Sequence, residues 1–171
     1  PTTALSTKTT DGTGTGSFTS AITGLTPGTL YYVKAYATNS IGTAYGNEIS
    51  FTTLTIPAIT TNALSAITST TATSGGNVTS DGGATVSAHG VCWSTTTGPT
   101  TASSKTSDGS GTGTFTSAIT GLSAGISYYV KAFATNSMGT AYGSELSFTT
   151  LLIPRIAGQP CPAYLLCISH A

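Results

Sequence analysis

Apolar and polar residues alternate with a period of two through Tyr31-Tyr32-Val33-Lys34-Ala35-Tyr36-Ala37-Thr38, with Tyr31, Val33, Ala35 and Ala37 on one side and Lys34 and Thr38 on the other. This period belongs to a β-strand buried on one face, and the odd-numbered side is the core side. Asn39-Ser40-Ile41-Gly42 supplies turn residues, and alternation resumes over 43–53, so the two runs form an antiparallel hairpin. With Asn39 facing Thr43, the register pairs Tyr31 with Phe51, Val33 with Ile49 and Ala37 with Tyr45 on the buried face. On the outer face it sets Lys34 opposite Glu48 and Tyr36 opposite Gly46, an ion pair and an aromatic ring over a strand glycine.

The same wording returns further along the chain. Residues 11–57 recur at 108–154 with about three-quarters of positions identical, which makes the chain two copies of one module. Pro1-Thr2-Thr3-Ala4 matches Pro99-Thr100-Thr101-Ala102, so the first copy lacks whatever 58–98 contributes to the second, and the chain is expected to begin inside a module. Three segments follow. Residues 1–54 are the C-terminal part of a module with about four strands, 55–152 a complete seven-strand module, and 153–171 a divergent apolar tail. The seven strands are expected near 58–63, 70–80, 85–95, 100–107, 113–120, 127–136 and 140–150, a number that suits an all-β sandwich. The hairpin of the second copy repeats the first, pairing Lys131 with Glu145 and Phe133 with Gly143.

Leu25-Thr26-Pro27-Gly28-Thr29-Leu30-Tyr31-Tyr32-Val33, and less fully Leu122-Ser123-Ala124-Gly125-Ile126-Ser127-Tyr128-Tyr129-Val130, resemble the Leu-x-Pro-x-Thr-x-Tyr-x-Val corner of fibronectin type III domains. The resemblance implies tandem immunoglobulin-like β-sandwiches, the first incomplete. It also implies that Tyr31 and Tyr128 are corner tyrosines whose hydroxyls tie the strand to the loop before it. The repeated Ala-x-Ala-Thr-Asn-Ser-x-Gly wording is similar to tandem modules of large surface and secreted proteins of Bacteroidota-type bacteria. That likeness implies an extracellular or cell-surface location and no catalysis.

Composition narrows the partners. Five basic and five acidic side chains in 171 residues give a net charge of zero, far from the clustered cations that phosphate neutralisation needs, so nucleic acid is a poor partner. No apolar run reaches the ~20 residues of a membrane span. Cys92, Cys161 and Cys167 have no metal-ligand spacing.

Candidate chemistry is thin. Asp11-Gly12-Thr13-Gly14-Thr15-Gly16 and Asp108-Gly109-Ser110-Gly111-Thr112-Gly113 could cradle an ion, but no second carboxylate or Walker lysine accompanies them, and Asp-Gly reads as a turn start. Glu48 and Glu145 face lysines. His89 and Cys92, three apart on one strand, point to opposite faces and cannot act as base and nucleophile. His89 is expected to be a strand residue with a satisfied hydrogen bond, and Cys92 a small apolar filler beside Trp93. No catalytic residue, metal or cofactor is expected.

Surface features suggest assembly instead. Tyr32, Tyr36, Tyr129 and Phe133 are expected on the outer face, where aromatic rows mark protein or sugar contacts. In the tail, Tyr164, Leu165, Leu166 and Ile168 belong to the most apolar run of the chain, and the tail matches neither copy. An incomplete module exposing its core and a loose apolar strand are complementary, so the tail of one subunit is expected to enter the open module of the next in a head-to-tail polymer. The reading is a structural subunit of an extracellular filament or surface fibre. The competing reading is a spacer or carbohydrate-binding module of a large secreted carbohydrate-active or adhesin protein, with glycan contacts.

Overall fold

The structure, a computed structural model, describes residues 7–153. Its described residues are all-β and divide into two compact units, one holding 7–55 with 82–84, the other 56–81 and 85–153. The first unit contributes β1 (Leu30–Val33), β2 (Tyr36–Thr38), β3 (Thr43–Tyr45) and β4 (Ile49–Thr52). The second contributes β5 (Ala58–Thr61), β6 (Ala72–Ser80), β7 (Ala88–Ser94), β8 (Ser104–Lys105), β9 (Gly113–Ile119), β10 (Ser127–Asn136), β11 (Gly139–Tyr142) and β12 (Leu146–Thr149).

The second unit is an immunoglobulin-like, fibronectin type III-like sandwich. One sheet has the order β5-β6-β9, and the other β8-β7-β10-β11 with β12 also on β10. Its core lies between them: Ala72 and Ile119 from the first sheet meet Val91, Val130, Ala132 and Phe148 from the second. Strand positions follow the alternation in sequence, apart from two. Residues 100–107 form only the short β8, and 140–150 form two strands instead of one.

That division has a definite cause. β12 pairs with β10 in the expected register, Tyr128 with Phe148 and Val130 with Leu146. β11 is shifted by one residue, so Phe133 faces Tyr142 rather than Gly143, and Ala134 faces Ala141. The bulge between them takes up one extra residue near Ser144 and reverses which side chains face the core. The first unit repeats it: Tyr31 pairs with Phe51 and Val33 with Ile49, but Tyr36 pairs with Tyr45 instead of Gly46, and Ala37 with Ala44 instead of Tyr45. Tyr45, expected inside, is accordingly exposed. Gly143 earns its place at the bulge because β5 crosses there: a Cβ on it would stand 2.5 Å from Thr61 Oγ1 and 2.6 Å from the Thr61 nitrogen.

The ion pairs lie on the unshifted side of the bulge and form as the alternation requires, Lys34 Nζ to Glu48 Oε2 at 3.5 Å and Lys131 Nζ to Glu145 Oε2 at 3.7 Å. About a third exposed, each contributes only ~0.2–1 kcal/mol and acts mainly on register.

The tyrosine corner is present in both copies. Tyr128 Oη accepts the Ser123 N–H at 3.0 Å and Tyr31 Oη accepts the Thr26 N–H at 2.9 Å. Tyr128 is buried, stacked 5.8 Å from Phe148, whereas Tyr31 is only half-buried. Tyr128→Phe leaves the Ser123 N–H without its acceptor, at a cost of about 0.5–1.5 kcal/mol. The unfolding midpoint of the second unit should fall by about 4–8 °C for each kcal/mol lost. An unchanged melting curve would remove the corner from the stability of the fold.

Candidate functional site

The two copies serve as controls for one another, because equivalent side chains stand in different surroundings. Ile119 is fully buried, while its equivalent Ile22 is 44% exposed. Phe148 is 7% exposed and Phe51 37%. Ala132 and Ala134 are sealed, and Ala35 and Ala37 are open to solvent. The strands explain the difference. In the second unit β10 is bordered by β7 along seven residues and β9 by β6 along seven more. In the first unit, among the described residues, β1 pairs only with β4 and β2 only with β3. Residues 16–22, equivalent to β9, form no strand at all, and the run equivalent to β10 is broken at Lys34-Ala35.

The candidate site is therefore the core-side face and free edge of β1 and β2. Phe18, Ala35, Ala37 and Ala44 line an open groove there of about 270 Å³, with Tyr36 and Tyr45 also bordering it. A two-stranded ribbon with one apolar face open is marginal by itself, and its unpaired N–H and C=O groups are a template for another strand.

The outward aromatic row is shorter than expected. Tyr32 is 57% exposed, and Tyr36 and Tyr129 are half-buried, but Phe133 is buried. It faces Gly90 across the β10–β7 ladder, where a Cβ would stand 3.0 Å from the Phe133 ring and 2.7 Å from the Thr106 carbonyl. The ring covers a strand glycine as foreseen, but on the neighbouring strand and not at the bulge. Tyr36 makes the corresponding approach in the first unit, its hydroxyl donating to the Thr9 carbonyl at 2.7 Å. Tyr164, Leu165, Leu166 and Ile168 lie outside the described residues.

The Asp-Gly segments do more than start turns. Asp108 Oδ2 accepts hydroxyl hydrogen bonds from Thr106, at 2.6 Å, and from Ser117 on β9, and Thr106 Oγ1 accepts the Val91 N–H at 2.9 Å. One carboxylate thus joins the β8 side of the sandwich to β9. Thr9, Asp11 and Ser20 repeat the arrangement. Sequence reading missed it because the three polar residues each look like turn or surface positions. The signal available was their recurrence together in both copies. Asp108→Ala removes the carboxylate acceptor shared by Thr106 and the fully buried Ser117 hydroxyl, which keeps Thr106 Oγ1 as a partner at 2.9 Å, and should cost about 0.5–1.5 kcal/mol in denaturant unfolding. A plain turn residue would give almost no change.

His89 and Cys92 sit as the alternation requires. His89 stacks on Phe115, ring centroids 4.3 Å apart, and Cys92 lies opposite Lys131. The expected hydrogen bond to the imidazole is corrected in part, since its buried Nδ1 has no partner among the described residues. Burial pushes the Cys92 thiol pKa up, against a smaller opposing pull from Lys131, which suits a filler and not a nucleophile. No three His, Cys, Asp or Glu side chains come together as a metal site among the described residues, and no helix there is long and apolar enough to cross a membrane.

No family model matches the sequence, and no curated protein matches it. Among solved structures, the sensor domain of the anti-sigma factor RsgI4 of Pseudobacteroides cellulosolvens is 19% identical, with a TM-score of 0.43, 67% of this chain and 94% of that chain covered. The FN1-FN3 domains of chicken CNTN1 are 15% identical, at 0.43, covering 75% of this chain and 45% of that one. A fibronectin type III domain from human KIAA0970 protein is 19% identical, at 0.40, covering 66% and 85%. At these scores the likenesses add nothing to the strand order, on which the fold assignment stands.

Proposed function

We propose that the chain is a structural subunit of an extracellular filament or surface fibre, assembled through strand edges and aromatic contacts between repeated sandwiches. The observation that carries this reading is the contrast between copies: side chains sealed in the second unit, Ile119, Ala132 and Ala134, face solvent as Ile22, Ala35 and Ala37 in the first. Covering them by another chain would recover roughly 1.5–3 kcal/mol for each large side chain and pair the free backbone of β1 and β2. Tyr32 and Tyr129 on the outer face are further contact residues, and residues 164–168 are the leading candidate for an added strand. The wording of the repeat, like that of Bacteroidota-type surface proteins, accords with an external location. The function is mechanical, with no turnover.

Negative-stain images of the full chain should show fibres with a regular repeat of sandwich-sized units. A field of single particles under the same conditions would sink the filament reading.

A further inference from the structure

The complete sandwich of the second unit is open at one end of its core. The β5-β6-β9 sheet ends at the Ala72–Ile119 pair, and the chain then leaves β9 through Gly121. In the other sheet Trp93, opposite Val130, lies near the end of β7, and Tyr128 lies near the start of β10. Gly121, Trp93, Thr95 and Tyr128 surround an opening of about 380 Å³, which Ser103 and Ser104 at the β8 edge also line.

No charged side chain lines this opening, and the polar side-chain groups around it are hydroxyls and one indole N–H. Trp93 supplies an aromatic wall, packed against the core cluster yet only half-buried. The hydroxyls keep capacity for a ligand. Tyr128 Oη accepts the Ser123 N–H at 3.0 Å and Ser103 Oγ accepts the Thr100 N–H at 3.3 Å, but neither hydroxyl hydrogen is donated to a described residue. Ser104 is exposed at the edge strand. Because a hydroxyl both donates and accepts, the lining offers both functions side by side.

That combination selects a class of ligand. An anion is held by cationic side chains and a metal ion by carboxylates, and the lining has neither. Sugar hydroxyls also donate and accept, and the axial C–H face of a gluco-configured pyranose is apolar and faintly positive, complementary to the negative face of an indole. A proline-rich segment could pack on the same ring, but its backbone offers acceptors and few donors, which uses only half of what the hydroxyls provide.

We propose that this opening binds a neutral, gluco-configured saccharide, with a pyranose ring against Trp93 and its hydroxyls bonded to Ser103, Ser104 and Tyr128. The site goes beyond the filament reading and stands without it, since every lining residue belongs to the second unit.

Trp93 is the only tryptophan in the sequence, so its emission reports on this opening alone. Titrating the dilute full chain with cellotetraose and with maltotetraose, into the millimolar range, should give a saturable change in that emission with at least one of them, and calorimetry should return the same affinity. Ser104→Leu narrows the opening from the exposed edge and should weaken binding roughly tenfold or more without changing the melting curve. Thr116→Leu makes a similar addition on the exposed face of β9, and should leave the affinity within about twofold. Decaproline tests the other occupant. No saturable change with either tetrasaccharide, binding that survives Ser104→Leu or falls equally with Thr116→Leu, or a response to decaproline in place of the sugars overturns the site.

Discussion

Ile119→Ala is expected to destabilise the second unit by about 2–5 kcal/mol, and Ile22→Ala to change the stability of the dilute, monomeric chain by less than about 0.5 kcal/mol. The two side chains are equivalent in the repeat and occur in nearly identical stretches, Ser-Ala-Ile-Thr-Gly-Leu in both. Ile119 sits fully buried at the end of β9, opposite Ala72 on β6, while Ile22 is 44% exposed and belongs to no strand. Removing Ile119 leaves a cavity between two sheets, and removing Ile22 leaves only a smaller exposed side chain. Urea unfolding monitored by Trp93 fluorescence, for the first variant, and by the near-ultraviolet signal of the first unit's tyrosines, for the second, would compare them. Equal losses would mean that the first unit is sealed by itself, and would remove the basis of the assembly reading.

This pair also marks how far sequence reading reaches. Alternation located the strands and the ion pairs, because Lys34 with Glu48 and Lys131 with Glu145 depend only on local period and a nearby turn. It missed the bulge at Gly46-Asn47 and Gly143-Ser144, because one extra residue leaves the apolar run unbroken while shifting Tyr36 and Phe133 onto new partners. The packing of Thr61 on β5 against Gly143 in the second unit lies outside the hairpin, although the bulge itself recurs at Gly46, which among the described residues only Ala35 approaches. Burial of Phe133 likewise depends on Gly90, more than forty positions away along the chain, and the Asp108 cluster on a seryl hydroxyl from β9. Near-identical sequences in the two copies differ in burial only because β6 and β7 stand beside one of them. No local pattern contains that information.

Deleting the residues after Gly158 is expected to abolish assembly and leave the second unit folded. The core of that unit is assembled among the described residues from Ala72 to Phe148, so its unfolding midpoint should stay within a degree or two, corresponding to less than about 0.5 kcal/mol. Assembly should fall to the monomer, because residues 164–168 are the proposed source of the strand that pairs with β1 and β2. Sedimentation velocity at several concentrations would read both species. If the shortened chain still polymerises, another surface makes the joint, with Tyr32 and the exposed Ile49 as the next residues to substitute.

The central claim is that a neighbouring chain covers the free edge of the first unit, and amide hydrogen exchange reads that edge directly. Residues 30–38 lie within the run equivalent to 127–136, bordered among the described residues on a single side where 127–136 is bordered on both, so each molecule carries its own reference. The account predicts that 127–136 is protected at every chain concentration, whereas 30–38 exchanges freely in dilute solution and becomes protected as the chain is concentrated into its assembled form. Protection of 30–38 that does not change with concentration, or its absence in assembled material, would contradict it.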